Sequence, residues 1–362
     1  MKNSCPLCSG INFLLLYQVD NLPLFQNIVY DTYESACRIK TININLVRCL
    51  NCNFVFNKSF DDSIMEYDAN YHNEQHYSPS FYEHMLEMYD LIKQRINLKS
   101  KIIEIGCGKG AFLELFTKNG YDIIGFDPAY EGNNCNVIKT YYSEKYSDLN
   151  ADFIILRHTL EHISEPLKFL HQIAKANRYK GLIFIEVPDF DWIASKKAFW
   201  DIFHEHCNYF TKQTLKNLFS ISKCENVFNG QYQYIIANLS DLKNSEFCTN
   251  INLLPISYDF FRNELDYFRK FIKKYKNIAL WGGASKAVTF LNLLDPERLY
   301  VDAVIDINPL KQNKFIAGTG HKIIEYNSRL NYDLIIIMNE NYKEEIKSTI
   351  NNTKVNIITL GE

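Results

Sequence analysis

The chain has 362 residues, of which 47% are hydrophobic and 22% are charged, and its formal net charge is −3. This length favours two or three domains, and the near-neutral charge argues against the basic surface of a typical nucleic-acid-binding protein. The longest apolar runs, such as FLLLY at 13–17, are too short for a membrane span, and the first residues lack an apolar signal core. We therefore expect a cytoplasmic protein with neither a membrane nor a nucleic-acid partner.

The first predicted region, residues 1–58, contains short strand-like runs between two Cys-x-x-Cys motifs. Cys5 and Cys8 form the first motif, and Cys49 and Cys52 form the second. Each motif can present two thiolates from one tight turn, and four thiolates complete a tetrahedron around zinc. Because no coordination position is left open, the pattern predicts a structural zinc ion. Reduced cysteines without metal are the alternative, and a redox role is less favoured still.

The rest of the chain divides into a linker and two similar regions. Residues 59–98 are polar and aromatic, and helical spacing of apolar residues predicts a helix over 80–96. Residues 99–230 alternate β-rich runs with helical stretches, which predicts a parallel sheet with crossover helices. After a connecting segment at 231–264, the same alternation returns over 265–362. The sequence thus predicts an α/β fold with two nucleotide-fold domains in series.

A glycine-rich turn follows the first strand of the central region, in KIIEIGCGKG at 101–110. Gly106 and Gly108 can let the backbone approach a ligand closely, and Glu104 lies two residues before the first of them. The next strand ends at Asp127, where an acid in a doubly wound sheet can reach the ribose hydroxyls of an adenosine. The acid before the glycines resembles the S-adenosylmethionine loop of class I methyltransferases. Binding of NAD is the less favoured interpretation.

The second α/β region repeats the strand, glycine turn and helix in NIALWGGASKAVTFLNLL, but it lacks the G-x-G-x-x-G fingerprint. We interpret it as a degenerate Rossmann-like domain. Lys286, near the helix start, could meet an anionic phosphate, and Asp306 ends the following strand. Asn308 and Lys311 are weaker candidates for the same ligand. A purely structural domain is the alternative.

Nearly the whole chain resembles the sugar C-methyltransferases of deoxysugar pathways, which methylate C-3 of nucleotide-linked 4-keto sugars. Besides the four cysteines, the blocks that carry the resemblance are EIGCGKG, GFDP, RHTLEHI, EVPDF at 186–190, HEHCNYF at 204–210, WGGASKA at 281–287 and VIDINPLKQNKFIAG at 304–318. The resemblance implies an N-terminal zinc domain, a central Rossmann-like class I methyltransferase domain that binds S-adenosylmethionine, and a C-terminal Rossmann-like domain. It places the nucleotide sugar between the last two.

The resemblance also implies roles for individual residues. His206 matches the residue taken as the catalytic base, and Glu205 lies in the same site. A linker tyrosine approaches the substrate in this family; Tyr77 is the first candidate and Tyr71 the second. His158, in RHTLEHI, is expected to line the cofactor pocket.

One position departs from the family pattern, because Phe203 stands where the family usually has a tyrosine. Tyr209 could supply the missing hydroxyl to the substrate. His204 is another candidate for substrate contact, although a structural hydrogen bond is its favoured role. A metal site at 204–206 is less favoured, since two histidines at i and i+2 do not match the H-E-x-x-H spacing.

The chemistry of carbon methylation agrees with these assignments. Carbon becomes nucleophilic when a proton next to a carbonyl is removed, and histidine has a suitable pKa for that step. We therefore expect an enzyme that methylates a nucleotide-linked keto sugar on carbon. Methylation of oxygen or nitrogen on a sugar nucleotide or related glycan precursor is the alternative. A non-catalytic binding or scaffold protein and a non-sugar substrate are less favoured. The sequence does not determine the nucleotide, the sugar, the stereochemistry or the oligomeric state.

Overall fold

The computed structural model of the chain describes residues 2–65, 75–244, 256–350 and 355–362. The strands are β1 (Phe13–Pro23), β2 (Val29–Tyr30), β3 (Thr41–Cys49), β4 (Val55–Asn57), β5 (Lys101–Ile105), β6 (Asp122–Phe126), β7 (Val137–Ile138), β8 (Phe153–Arg157), β9 (Leu182–Pro188), β10 (Asn208–Tyr209), β11 (Ser222–Val227), β12 (Tyr232–Asn238), β13 (Ile278–Trp281), β14 (Val301–Ile305), β15 (Phe315–Ile316), β16 (Ile323–Ile324), β17 (Leu334–Ile337) and β18 (Asn356–Thr359). The α-helices are α1 (Tyr33–Cys37), α2 (Pro79–Lys93), α3 (Ala111–Lys118), α4 (Pro166–Ala176), α5 (Phe190–Ser195), α6 (Lys212–Lys216), α7 (Arg262–Ile272), α8 (Ser285–Leu294) and α9 (Lys343–Thr349).

The N-terminal sheet is antiparallel and has the order β1-β3-β4-β10. Its last strand comes from the central part of the chain, where Asn208 pairs with Phe56 and Tyr209 with Val55. The sheet that carries Cys49 is therefore joined by backbone hydrogen bonds to the segment that follows His206.

The central sheet has seven strands in the order β11-β12-β9-β8-β5-β6-β7. Strands β5 to β9 run parallel, and β12 pairs antiparallel with β9. Every residue of β8 is buried, as expected for a strand covered on both faces. The predicted parallel sheet with crossover helices is present.

Helix α2 is the helix predicted over 80–96, and it begins at Pro79 and ends at Lys93. The hydroxyl of Ser78 caps its start by accepting from the amide of Phe81 at 3.3 Å, and proline in the first turn needs no intrahelical partner. The apolar face of α2 packs with α3 against the central sheet, so the linker forms one wall of this region.

The C-terminal sheet is fully parallel and has the order β16-β14-β13-β17-β18. One hydrophobic cluster connects α7 and α8 with the turn Phe199–Asp201 and the N-terminal sheet. Strand β15 pairs with β2, which adds a second link between the two ends of the chain. Within the described residues, no helix combines the length and the apolar character needed to cross a bilayer.

Candidate active site

A cavity of about 340 Å³ lies where the glycine turns of the two parallel sheets and the start of α2 meet. The carboxyl ends of parallel strands are the usual ligand-binding edge of such sheets. Of the predicted site residues, the cavity is lined by Tyr77, Glu104, Gly106, Gly108, His158, His206, Lys286 and Asp306. Tyr71 lies outside the described residues.

The glycine turn after β5 needs its glycines for conformation and for space. Gly106 has φ = +73°, and a Cβ built there would lie 2.3 Å from Oγ1 of Thr159. Gly108 has φ = +53°, and its amide donates to Oδ2 of Asp127 at 2.9 Å. The other oxygen of Asp127 accepts from the amide of Ala129 at 2.8 Å. Asp127 therefore stabilises the turn and is not among the residues that line the cavity, and its contact with the ribose stays a prediction.

Two ionisable side chains at the floor of this cavity each contain one unsatisfied buried atom. Glu104 is 3% exposed, and its Oε2 has no hydrogen-bond partner within the described residues. Burial, with a smaller contribution from Asp127, raises the pKa of Glu104 to about 8 although Arg157 opposes the shift. Nη2 of Arg157 is also buried without a hydrogen-bond partner. A zwitterionic amino-acid group fits this pair, with its ammonium at Glu104 and its carboxylate at Arg157.

Arg157 is oriented by a fully buried carboxylate on the neighbouring strand. Glu186 accepts from Nε of Arg157 and is paired with Nε2 of His84 on α2, both at 2.5 Å. Although burial alone would raise the pKa of Glu186, Arg157, His158 and His84 together hold it well below the usual range. The arrangement ties α2 to the cofactor side of the cavity. His158 follows directly after Arg157 and has a left-handed backbone with φ = +47°.

His206 lies at the cavity wall, on the loop between the turn Phe199–Asp201 and β10. Its ring centroid is 4.1 Å from that of Phe203 and 4.8 Å from that of His162. Burial lowers the pKa of His206 well below its usual value, and His162, His158 and Lys286 add to the shift. The imidazole is therefore neutral near pH 7 and can accept a proton.

The two residues before His206 are directed away from the cavity. Glu205 is fully buried; its Oε2 accepts from the amide of Gln26 at 2.7 Å, and its carbonyl lies 2.8 Å from Nδ1 of His162. His204 is also fully buried, with Nδ1 3.3 Å from Nδ2 of Asn57. Neither side chain lines the cavity, and His204 makes the structural hydrogen bond that was its favoured role.

Tyr209 also differs from its expected role. Its hydroxyl donates to the carbonyl of Phe203 and accepts from the amide of the same residue, both at 3.1 Å. Burial raises the pKa of this hydroxyl, which stays protonated, but it does not line the cavity. The hydroxyl therefore supports the loop and does not replace the one missing at Phe203. Tyr77 does reach the cavity, where it is 40% exposed and stacks on His76.

Two further tyrosines, Tyr232 and Tyr342, line the cavity and were not among the predicted site residues. Tyr342 donates its hydroxyl to Oε1 of Gln75 at 2.8 Å, and the side chain of Gln75 also hydrogen-bonds Tyr232. Tyr232 belongs to the central sheet and Tyr342 to the C-terminal domain. Gln75 of the linker is therefore held between the two domains. Burial raises the pKa of both hydroxyls and keeps them protonated. No pattern in the sequence distinguishes these tyrosines from core residues.

The C-terminal wall repeats the turn geometry of the central domain. Oδ2 of Asp306 accepts from the amide of Gly283 at 2.8 Å, and its Oδ1 accepts from the amide of Asn308 at the same distance. Nζ of Lys286 lies 2.6 Å from Oδ2 of Asp201. Lys286 therefore lines the cavity and forms an ion pair with Asp201 there.

The four predicted zinc ligands come together beside the N-terminal sheet, where β3 ends at Cys49. The Sγ atoms of Cys5 and Cys52 lie 3.6 Å apart, those of Cys8 and Cys49 lie 3.5 Å apart, and all four are within 4.8 Å of one another. Zinc–sulfur bonds of 2.3 Å in a tetrahedron separate the sulfurs by about 3.8 Å. The donor set and its spacing therefore fit a zinc ion without rearrangement of the turns.

Two family models match the chain. A methyltransferase domain matches residues 69–227, and a C-methyltransferase C-terminal domain matches residues 259–357. The C-methyltransferase NovU of Streptomyces niveus is 26% identical over 235 residues, which are 60% of this chain and 54% of NovU. The match thus spans about half the length of that relative.

Solved methyltransferases are similar to a little under half of the chain. An S-adenosylmethionine-dependent methyltransferase from Archaeoglobus fulgidus is 20% identical, with a TM-score of 0.34, and the match covers 43% of this chain and 92% of that one. The plantazolicin methyltransferase BpumL, solved with S-adenosylhomocysteine, is 16% identical, with a TM-score of 0.35 and coverage of 46% and 86%. The two family matches confirm the fold class expected from the glycine turn: a methyltransferase domain is followed by a C-methyltransferase C-terminal domain.

Proposed function

We propose that this enzyme methylates a nucleotide-linked keto sugar on carbon and serves deoxysugar biosynthesis, with His206 as the base. The observation that carries the proposal is the position of His206, a neutral imidazole in the wall of a cavity shared by the cofactor turn and the C-terminal domain. A neutral imidazole can remove a proton from carbon, which methylation of an existing oxygen or nitrogen lone pair does not require.

S-adenosylmethionine supplies an electrophilic methyl group when it is bound. Its methionine tail suits Glu104 and Arg157, and its adenosine would lie along the turn that contains Gly106 and Gly108. The buried carboxyl of Glu104 gains a cationic partner and Arg157 an anionic one, so binding would satisfy both.

The reaction then needs two actions from the protein. His206 accepts the proton from the carbon next to the sugar carbonyl, and the C–H electron pair moves into an enolate. A tyrosine hydroxyl, that of Tyr77 or Tyr232, donates a hydrogen bond to the enolate oxygen. The enolate carbon then forms a bond to the methyl group, while the electrons of the carbon–sulfur bond remain on sulfur.

The C-terminal domain is proposed to hold the nucleotide part of the substrate. Lys286 at the start of α8 and the turn held by Asp306 form the wall opposite the cofactor turn. A diphosphate suits a helix start next to a lysine. At the N-terminal end, Cys5, Cys8, Cys49 and Cys52 are proposed to bind a structural zinc ion.

Methylation on oxygen or nitrogen is kept as a second candidate because of Phe203. Its ring lies beside His206 in the cavity wall and offers no hydroxyl to an enolate. Tyr77 and Tyr232 must then supply that hydrogen bond, or the substrate differs from the one typical of the family.

The test is turnover of dTDP-, GDP- and CDP-linked 4-keto sugars with S-adenosylmethionine in deuterated water. Product analysis by NMR should place the new methyl group on a carbon next to the carbonyl, and the His206→Ala variant should be inactive while it still binds S-adenosylhomocysteine. A methyl group on oxygen or nitrogen would contradict the proposal.

A further inference from the structure

We infer that Glu161, rather than Glu205, is the carboxylate that stabilises protonated His206 during the reaction. The inference rests on the proposed function, because it concerns the proton that His206 accepts. It assigns Glu161 a positioning role that neither the glycine motif nor the HEHCNYF block indicates.

The first support is distance. Glu161 lies in the turn Leu160–His162 after β8, and one carboxylate oxygen, one ring nitrogen of His162 and one ring nitrogen of His206 lie within 4.8 Å of one another. All three residues line the cavity. Small side-chain rotations can convert such separations into hydrogen bonds when a substrate is bound.

The second support is an unsatisfied buried atom. Glu161 is 1% exposed, and its Oε2 has no hydrogen-bond partner within the described residues. The other oxygen lies 3.7 Å from Nδ1 of His158, which is too long for a hydrogen bond. Burial of an unsatisfied carboxylate oxygen is costly, and a nearby imidazolium N–H would satisfy it.

The third support is the charge of the other groups around His206. His162 and His158 face it from the turn after β8, and Lys286 faces it from α8; these three oppose a positive charge on His206. Lys286 is paired with Asp201, so the negative charge of Asp201 is largely neutralised by Lys286. The ring of Tyr209 lies 6.4 Å away and carries no charge.

The side chain of Glu205 is not among those that line the cavity. Its Oε2 accepts from the amide of Gln26, and its backbone carbonyl accepts from Nδ1 of His162. Glu205 thereby orients His162, since a neutral ring that donates through Nδ1 keeps Nε2 as an acceptor. Of the carboxylates described around the loop, Glu161 is the one that can meet the charge on His206.

The proton balance is simple. The proton leaves the sugar carbon and binds His206, and the imidazolium donates a hydrogen bond to the carboxylate of Glu161. After methyl transfer, His206 returns the proton to water. No oxidant, reductant or additional reactant is required.

The test compares Glu161→Gln with Glu205→Gln as a matched control, using the pH dependence of kcat/KM. Loss of a neighbouring anion lowers the pKa of His206, so the acid limb of the Glu161→Gln profile should move to lower pH by about one unit. Because the imidazolium also loses its partner in the transition state, kcat should fall by about 10² to 10³-fold. Glu205→Gln should keep the wild-type acid limb, whatever its effect on kcat. Glu161→Asp, which retains the carboxylate, should also keep that limb.

Folding and cofactor binding are monitored by thermal unfolding and by affinity for S-adenosylhomocysteine. An unmoved acid limb in Glu161→Gln overturns the inference, with or without a loss of kcat. Metal analysis gives a second check. If wild type binds a second metal ion per chain and Glu161→Gln loses it, the inference about Glu161 is overturned, because Glu161, His162 and His206 would then form a metal site. If His206→Ala still methylates carbon, the proposed function fails; if that variant is inactive and Glu161→Gln behaves like wild type, the inference about Glu161 fails alone.

Discussion

The ammonium group of Lys286 lies 2.6 Å from Oδ2 of Asp201, and each side chain is only 13% exposed. The ion pair joins the start of α8 to the turn that precedes the His206 loop. Burial raises the pKa of Asp201, and Lys286 opposes that shift. The pair thus connects the C-terminal domain with the proposed catalytic loop at the cavity itself.

Replacing Lys286 with Met should leave Asp201 buried without a partner and destabilise the protein by about 3 kcal/mol. In Lys286→Met/Asp201→Asn, where neither charge remains, a large part of that loss should be recovered. Urea unfolding of the two single variants and the double variant measures the coupling. Additive losses would show that the two side chains do not interact energetically.

Cofactor binding should release a proton from Glu104. With its pKa raised to about 8 by burial, this carboxyl is mostly protonated at pH 7 in the cofactor-free protein. An ammonium group beside it favours the ionised form, so close to one proton should leave on binding at pH 7, and fewer as the pH rises above 8. Titration calorimetry in phosphate and in Tris detects the release through the ionisation heat of the buffer. In Glu104→Gln the binding heat should be independent of the buffer; a wild-type heat that is equally independent would contradict this assignment.

Metal analysis should find about one zinc per chain, and Cys5→Ser should lose it. Strand β4 follows the second cysteine pair closely and hydrogen-bonds to β10, so loss of zinc should also loosen the loop of His206 and lower activity. Cys37→Ser is the matched control, because Cys37 is exposed and lies outside the four-cysteine cluster. Equal zinc content in Cys5→Ser and Cys37→Ser would refute the zinc site.

His204 should make the protein less stable as the pH falls. Burial lowers its pKa to about 4 in the folded chain, whereas an unfolded histidine titrates near 6.5. Between these values the unfolded state binds more protons, so stability falls as the pH drops through the window, by about 2 kcal/mol between pH 7 and pH 5. Urea unfolding of wild type and His204→Gln at both pH values isolates this contribution, since other histidines titrate in both proteins. If the unfolding free energies of wild type and His204→Gln depend on pH in the same way, His204 does not contribute to the loss of stability at low pH.

Short sequence patterns predicted the structures that are formed by residues close together in the chain. The cysteine pairs and the turn around Gly106 each depend on a few consecutive residues, and the structure assembles them as the spacing indicates. The partners of His206 could not be predicted in this way. Glu161 lies in the turn after β8 and Lys286 in α8, both distant from His206 in the chain. Glu205 was assigned through the family resemblance, but its side chain does not line the cavity.

The central claim is that His206 removes a proton from carbon, and exchange of that proton measures this step without methyl transfer. The substrate that the enzyme turns over is incubated with enzyme and S-adenosylhomocysteine in deuterated water, and NMR follows the hydrogen next to the carbonyl. Wild type should exchange it, and His206→Gln should exchange it at least about 10²-fold more slowly with an unchanged affinity for S-adenosylhomocysteine. Equal exchange rates for wild type and His206→Gln would contradict the account.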